Sequence, residues 1–327
     1  MRTSLALSCL TQAPFRITNI RKNRKTPGLR PQHLHAVRAA AAISRAEVTG
    51  GETGSQELSF YPGPVRHGNY RFDIGTAGST TLLFQTVLPA LALAGGPSTL
   101  KITGGTHNPM APPFEHVKEV FLPMLGRLGL SADARIERYG FYPKGGGVLD
   151  SLIRGGQLKG LNIKERGRLL SLSGVSAVAN LPVSIAERQK ASAASRLEGF
   201  SPDIDVREVP SIGEGTFVFL LARYEGALCG FSSLGERGKK AEAVGEDAAA
   251  QFLEHHNCEG GSNAALDPHM ADQIALYLAL SGASSSFTTS RITGHLLTNL
   301  SIIGRFIKFE YRVKGEKGVP GMVEMAF

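Results

Sequence analysis

The sequence predicts an α/β fold of the α+β kind: three repeated helix–strand units forming one large domain, with a small α/β domain inserted before the third repeat. Three observations predict it. The run Ile17-Thr18, then Asn23 and Pro27, recurs with the same internal spacing as Ile102-Thr103, then Asn108 and Pro112. Apolar helical patterns alternate with short strand-like runs bounded by Gly and Pro. Between the second and third repeats, residues 169–261 break that pattern. The expected domains are therefore 1–168 (repeats one and two), 169–261 (the insert) and 262–327 (the third repeat).

The first unit opens with an apolar helix (Leu5 to Leu10) and a strand (Phe15 to Ile20), and continues through a loop into a helix from Gln32 to Ile43. The second repeats this with Leu82 to Leu93, Thr99 to Thr103 and Phe114 to Leu128; Val117, Val120, Phe121, Leu125 and Leu128 give that last helix one buried face. Both units are expected to close in strands containing Phe-Tyr-Pro, at Phe60-Tyr61-Pro62 and Phe141-Tyr142-Pro143. The insert reads as strand (Leu169 to Val178), helix (Val183 to Glu198), two strands (Thr216 to Arg223, Ala227 to Ser232) and a helix (Lys239 to His255). The third unit reads as helix (Ala271 to Leu280), strand (Ser285 to Thr289), helix (His295 to Phe306) and strand (Ile307 to Val313).

Hydrophobic residues at 42% against 20% charged fit a chain with a substantial core. A surplus of 36 Lys and Arg over 28 Asp and Glu favours polyanionic partners without requiring one. Cys9, Cys229 and Cys258 stand far apart and outside any metal-ligand spacing, which suggests reduced thiols and a cytoplasmic location. The apolar run near the amino end is too short for the core of a signal peptide, and Gln85 and Pro89 break the run around Leu82 to Ala94. No membrane association is expected.

Four loop stretches combine residues suited to phosphate chemistry. Arg21-Lys22-Asn23-Arg24-Lys25-Thr26-Pro27-Gly28-Leu29-Arg30 places five cations ahead of a helix start, where guanidinium forks and backbone N–H groups can both meet phosphate; a solvated basic loop is the other reading. Gly75-Thr76-Ala77-Gly78-Ser79-Thr80-Thr81, with Gln85 on the helix that follows, permits close approach of a nucleotide but contains no Gly-Lys-Ser/Thr, and close packing explains its small residues equally well. Gly104-Gly105-Thr106-His107-Asn108-Pro109, running to Pro112-Pro113, can wall a pocket or simply turn the chain. In Thr289-Ser290-Arg291-Ile292-Thr293-Gly294-His295, His295 stands where a strand hands over to a helix. An imidazole there can attack phosphorus near neutral pH, and can equally be structural.

Taken in order, these stretches resemble the RNA 3′-terminal phosphate cyclase family. The resemblance is carried by Lys25-Thr26-Pro27-Gly28-Leu29, Gln32-His33-Leu34, Gly78-Ser79-Thr80-Thr81-Leu82 with Gln85, and Gly104-Gly105-Thr106 with Ala111-Pro112-Pro113. It continues in Gly140-Phe141-Tyr142-Pro143 with Gly145-Gly146-Gly147, Ala271-Asp272-Gln273, and His295-Leu296-Leu297-Thr298-Asn299. It implies a ligase-type enzyme of RNA processing that uses ATP as substrate, with a divalent cation, magnesium, and turns an RNA 3′-phosphate into a 2′,3′-cyclic phosphate. His295 is implied as the catalytic nucleophile that carries AMP. Gln85, His269, Met270, Ala271, Asp272, Gln273 and Pro112 are implied at the ATP site, and Arg2, Arg21 and Gln32 near the RNA phosphate. The partners implied are RNA 3′-phosphate ends and ATP, with no stable protein partner; metal ligands are not assigned.

The family pattern also has a strand and a Glu-Gly-Gly-Gly-Gln loop ahead of the helix that starts here at Arg2. The sequence as given lacks them, and a start placed roughly twenty residues further upstream is expected. Two other readings compete: a non-catalytic cyclase-like protein of ribosome assembly, against which His295, Asp272 and Gln85 argue, and an enolpyruvyl transferase, whose fold uses similar repeats but which would not explain the Gly294-to-Asn299 run or the Pro112-Pro113 loop.

Overall fold

The computed structural model describes residues 1–258 and 263–327; the expected end of the insert at Gly261 lies outside the described residues. The first unit comprises α1 (Arg2–Thr11), β1 (Phe15–Ile17), α2 (Pro31–Ser44), β2 (Glu47–Thr49) and β3 (Leu58–Tyr61). The second comprises β4 (Asn69–Asp73), α3 (Thr80–Ala92), β5 (Ser98–Gly104) and α4 (Phe114–His116), which runs through a π-helical turn (Val117–Phe121) into α5 (Leu122–Arg127). Strands β6 (Leu130–Arg138) and β7 (Gly147–Gly156) complete it. After β8 (Asn162–Ile163) come β9 (Leu169–Ala179), α6 (Val183–Arg196), β10 (Asp203–Glu208), β11 (Gly215–Tyr224), β12 (Leu228–Leu234) and α7 (Ala241–His256). The chain ends with α8 (Pro268–Leu280), β13 (Ser285–Thr289), α9 (Gly294–Ile303), β14 (Glu310–Lys314) and β15 (Gly321–Ala326).

Sheet topology exposes the repeat better than the residues do. The second unit's sheet runs β4-β5-β7-β6, and the third runs β8-β13-β15-β14. In both, the first strand pairs parallel with the second, and the other pairs are antiparallel. The first unit's sheet, β1-β3-β2, repeats the last three of those positions. The insert therefore enters after β8, the strand that pairs with β13, and ahead of α8.

A single core joins the three units, with Leu5 and Leu34, Phe84 and Phe121, and Ile274 and Leu296 among its members. Helix α3 is its axis: Leu83, Phe84, Val87, Leu88 and Leu91 are buried around its circumference, as a helix surrounded by other elements requires. The insert has a core of its own under α6 and α7, including Val218, Leu220 and Phe252. Along β11, Val218, Leu220 and Ala222 face that core while Phe217, Phe219 and Leu221 join the main one. The period-two alternation of a strand thus welds the insert to the rest.

Three local expectations differ. Tyr142 and Pro143 lie in a turn between β6 and β7, not in a strand: Pro143 has no N–H for a ladder, and Gly145 and Gly146 (φ 66° and 72°) reverse the chain. The sequence reading missed β10, whose Asp203, Asp205, Arg207 and Glu208 mask a strand that buries only Ile204 fully and pairs parallel with β9. The strand expected from Ile307, β14, starts at Glu310 instead, because Arg305, Phe306 and Ile307 turn back on the end of α9 through backbone N–H bonds to the carbonyls of Ile302 and Ile303.

Candidate active site

The polar residues singled out in the sequence gather where α1, α2, α3, α8 and α9 meet. Helix α8 starts at Asp267, whose side-chain oxygen accepts the N–H groups of His269 and Met270 at 2.9 Å, with Pro268 in the first helical position. Burial by itself would raise the Asp267 carboxyl. The facing His116, together with those backbone donors, outweighs it and holds the group at about 2. One turn on, Asp272 has a different environment. Burial raises it to about 7, opposed chiefly by a hydrogen bond donated by the Thr293 hydroxyl.

Thr293 also caps α9, accepting the Leu296 N–H at 2.9 Å, so one hydroxyl ties the start of α9 to α8. A second tie runs from the Asn299 amide to the Asp272 carbonyl at 2.9 Å, and a third from the Thr3 hydroxyl of α1 to the Asn299 side-chain oxygen at 2.8 Å. His295 stands in the first turn of this helix with its ring exposed. The Lys317 amine lies against the preceding Gly294, 3.5 Å from where a Cβ there would be.

The residues implied at the ATP site divide into two kinds. The Gln85 amide of α3 donates to the Gln273 side-chain oxygen of α8 at 2.8 Å, joining the second unit to the third. The Pro112 carbonyl accepts from Thr81, one helical turn before Gln85, which sets the Pro-Pro loop against the same side of α3. His269 is exposed, yet ringed by protein: burial lowers its pKa, and His116, Arg291 and His295 add to that against Asp267. That combination marks a group lining an open cleft. Met270 and Ala271, by contrast, are fully buried in the core and form the floor beneath the neighbouring polar groups.

A basic corner adjoins at the starts of α1 and α2. His33 accepts the Arg30 N–H through Nδ1 at 3.0 Å, which leaves Nε2 carrying the proton of the neutral ring. Burial first, then Arg21, Arg2 and Arg30, lower the His33 pKa to about 4, so a neutral N–H donor sits within a cluster of arginines. Arg2 is exposed but surrounded, and burial lowers its pKa. Arg21 braces its own loop through Nη1, at 2.7 Å from the Thr26 carbonyl and 3.4 Å from that of Gly28. Gln32 is exposed in the first turn of α2, with its Cβ 3.8 Å from the Cβ position of Gly78. The cluster is thus continuous with the Gly75–Thr81 loop.

Sequence reasoning missed the insert's hold on the loop ahead of His295. His255 of α7 lies 2.9 Å from the Ser290 hydroxyl through Nδ1 and 3.3 Å from Cys229 Sγ through Nε2, and burial lowers its pKa to about 4. Glu254 pairs with Arg291 at 3.0 Å, and the Gly230 N–H of β12 reaches Asp267 at 3.4 Å. No local pattern announces contacts between such distant segments. The Asp267-Pro268 pair, however, was readable as a helix start.

A sequence profile described as RNA 3′-terminal phosphate cyclase matches residues 1–313, nearly the full chain and all of the corners above. The chain belongs to the RNA 3′-terminal phosphate cyclase family. It is thereby an enzyme of the ligase type. The similar RNA 3′-terminal phosphate cyclase of Methylococcus capsulatus is 45% identical over 317 residues, covering 94% of this chain and 87% of that protein. That of Ralstonia nicotianae is 44% identical, covering 97% and 90%, and that of Archaeoglobus fulgidus is 42% identical, covering 97% and 94%. The solved enolpyruvyl transferase NikO from Streptomyces tendae aligns over 98% of this chain and 45% of its own, at a TM-score of 0.35 and 10% identity, a likeness that carries no argument for that chemistry.

Among the described residues, no helix is long and apolar enough to cross a membrane. Nor does any group of three or more His, Cys, Asp or Glu side chains among them form a metal site. The described side chains do not by themselves build a site for the implied magnesium.

Proposed function

We propose that this cytoplasmic enzyme converts an RNA 3′-phosphate end into a 2′,3′-cyclic phosphate at the expense of ATP, with His295 as a covalent carrier of AMP. The observation that carries this reading is the placement of His295: exposed, at the start of α9, on a helix tied to Asp272 through both Thr293 and Asn299.

An imidazole nitrogen of His295 attacks the α-phosphorus of ATP, a P–N bond forms, and pyrophosphate departs with the electrons of the broken P–O bond. An oxygen of the RNA 3′-phosphate then attacks the same phosphorus, and the imidazole leaves with the P–N electrons. Finally the neighbouring 2′-hydroxyl, losing its proton, attacks the activated 3′-phosphorus and AMP leaves. Held beside that phosphorus on one ribose, the hydroxyl reacts with the advantage of proximity, and it confines the reaction to RNA ends.

In this reading Gln85, Gln273, Asp272, His269 and Pro112 line the ATP side, over a floor formed by Met270 and Ala271. Arg2, Arg21, Gln32 and the neutral His33 donor meet the RNA phosphate. The positive ends of α2 and α9 add backbone donors to both sides.

The test is an RNA oligomer with a 3′-phosphate, incubated with and without ATP. A cyclic end forming only with ATP, and not on an oligomer whose terminal nucleotide is 2′-deoxy, is the expected result. A 3′-phosphate left unchanged by the folded protein and ATP would contradict it.

A further inference from the structure

The Phe141-Tyr142-Pro143 turn has no part in the steps above, yet it is built with care. Phe141 is buried, its ring 5.2 Å from that of His107 and 6.3 Å from that of Phe217. The Gly145 N–H closes the turn onto the Phe141 carbonyl at 2.7 Å, and Arg138 holds the Gly146 carbonyl at 2.7 Å. On this fixed base the next residue, Tyr142, is 68% exposed. A large aromatic ring held at the surface by a rigid turn offers a face on which a base can stack.

Its neighbours indicate which one. A Cβ at Gly145 would fall 2.8 Å from the Ala77 Cα, so the turn rests directly on the Gly75–Thr81 loop. At the next residue of that loop, Gly78, an added Cβ would lie 3.8 Å from that of Gln32 in the basic corner, so the loop borders that corner. On the other side, Ile212 of the insert, 55% exposed, packs over Gly146, and the Lys144 stem lies on Gly213, 3.2 Å from its Cβ position. An aromatic ring, an aliphatic side chain and a lysine thus continue the surface that leads away from the proposed phosphate site.

We propose that Tyr142, Lys144 and Ile212 form the platform for the RNA strand behind its 3′ end, with Tyr142 stacking on a base upstream of the terminal nucleotide. This rests on the proposed reaction and adds the path of its substrate. Single-stranded RNA fits because stacking on an aromatic face tolerates any base, and a flanking lysine follows the backbone. The Gly75–Thr81 contact joins the turn to the loop that borders the basic corner rather than to a remote face.

The experiment measures two substrates with the full chain: a 3′-phosphorylated RNA oligomer of several nucleotides and a nucleoside 3′-phosphate. Tyr142→Ala should raise the oligomer KM about tenfold, the effect of one lost stack, leaving the nucleoside KM and the rate of AMP capture unchanged. Tyr142→Phe should restore the oligomer KM, and Lys144→Gln should flatten its dependence on salt. Fluorescence anisotropy of the labelled oligomer without ATP should show the same loss of binding for Tyr142→Ala. Equal changes for both substrates, or none, would overturn the platform. So would unchanged RNA binding together with loss of a protein from the complexes this chain forms, which would make the patch a protein-docking surface. If the unsubstituted chain binds the oligomer in a Tyr142-dependent way but does not cyclise it, the reaction assignment fails while the platform stands.

Discussion

The corner around His295, proposed as the nucleophile, and the basic corner are built in opposite ways. Where α8 meets α9, polar groups are engaged by one another: Asp267 with two N–H groups and His116, Asp272 with Thr293, Asn299 with Asp272 and Thr3. Where α1 meets α2, Arg2, Arg21 and Arg30 form no ion pair among the described residues, although they lie close enough together to push the His33 pKa down. The first arrangement fixes the helix start from which His295 projects. The second leaves cations that repel each other until an anion arrives, the condition under which a phosphate binds to most advantage. Precision is needed where a bond forms, and spare donors where a charged group must be received.

The largest expected effect comes from the fixed corner. His295→Ala should drop AMP capture and cyclisation by roughly 10³-fold or more, since the ring has no substitute as nucleophile. Because the ring is exposed, the melting temperature should stay within a few degrees; a large drop would recast His295 as structural. Next comes the basic corner. Arg21→Lys should leave capture of AMP intact while slowing its transfer to RNA about tenfold to a hundredfold, because a point charge replaces a fork. Equal loss of both steps would erase the distinction between the corners and point instead to the loop that Arg21 braces.

A third effect follows from pH. With Asp272 raised to about 7 by burial, the folded protein keeps a proton that the unfolded chain releases near its ordinary pKa of about 4. That contribution to stability is complete below about 4 and is lost as pH climbs through about 7. Asp272→Asn removes it, so the variant's melting temperature should fall less between pH 5 and 8 than the parent's. Identical curves would show that Asp272 titrates normally. Smallest of all, Glu254→Gln breaks a solvent-exposed ion pair with Arg291 and should cost no more than about 1 kcal/mol.

The corners were unequally legible in the sequence. Helix α9 and the handover at His295 were readable because Gly, Thr and an apolar stripe sit at fixed local offsets. That Gln85 would meet Gln273 required the fold, since one lies on α3 of the second unit and the other on the first helix of the third. Arg166, in a Gly- and charge-rich stretch at the edge of the insert, is buried and donates to the carbonyls of His255 and His256 while lying over the Tyr224 ring. The alternation along β11 shows why the insert is more than an appendage: both faces of its sheet are covered, and only one is covered by its own helices. Sequence pattern reports how buried a strand is, and cannot say by what.

The most direct test of the account is covalent capture of AMP. The protein is incubated with ATP labelled at the α-phosphorus, denatured, digested and mapped. The account predicts label that is stable to alkali and labile to acid, on the single peptide containing His295, and lost when RNA bearing a 3′-phosphate is added. Label on another residue, or none on the folded protein, would contradict it.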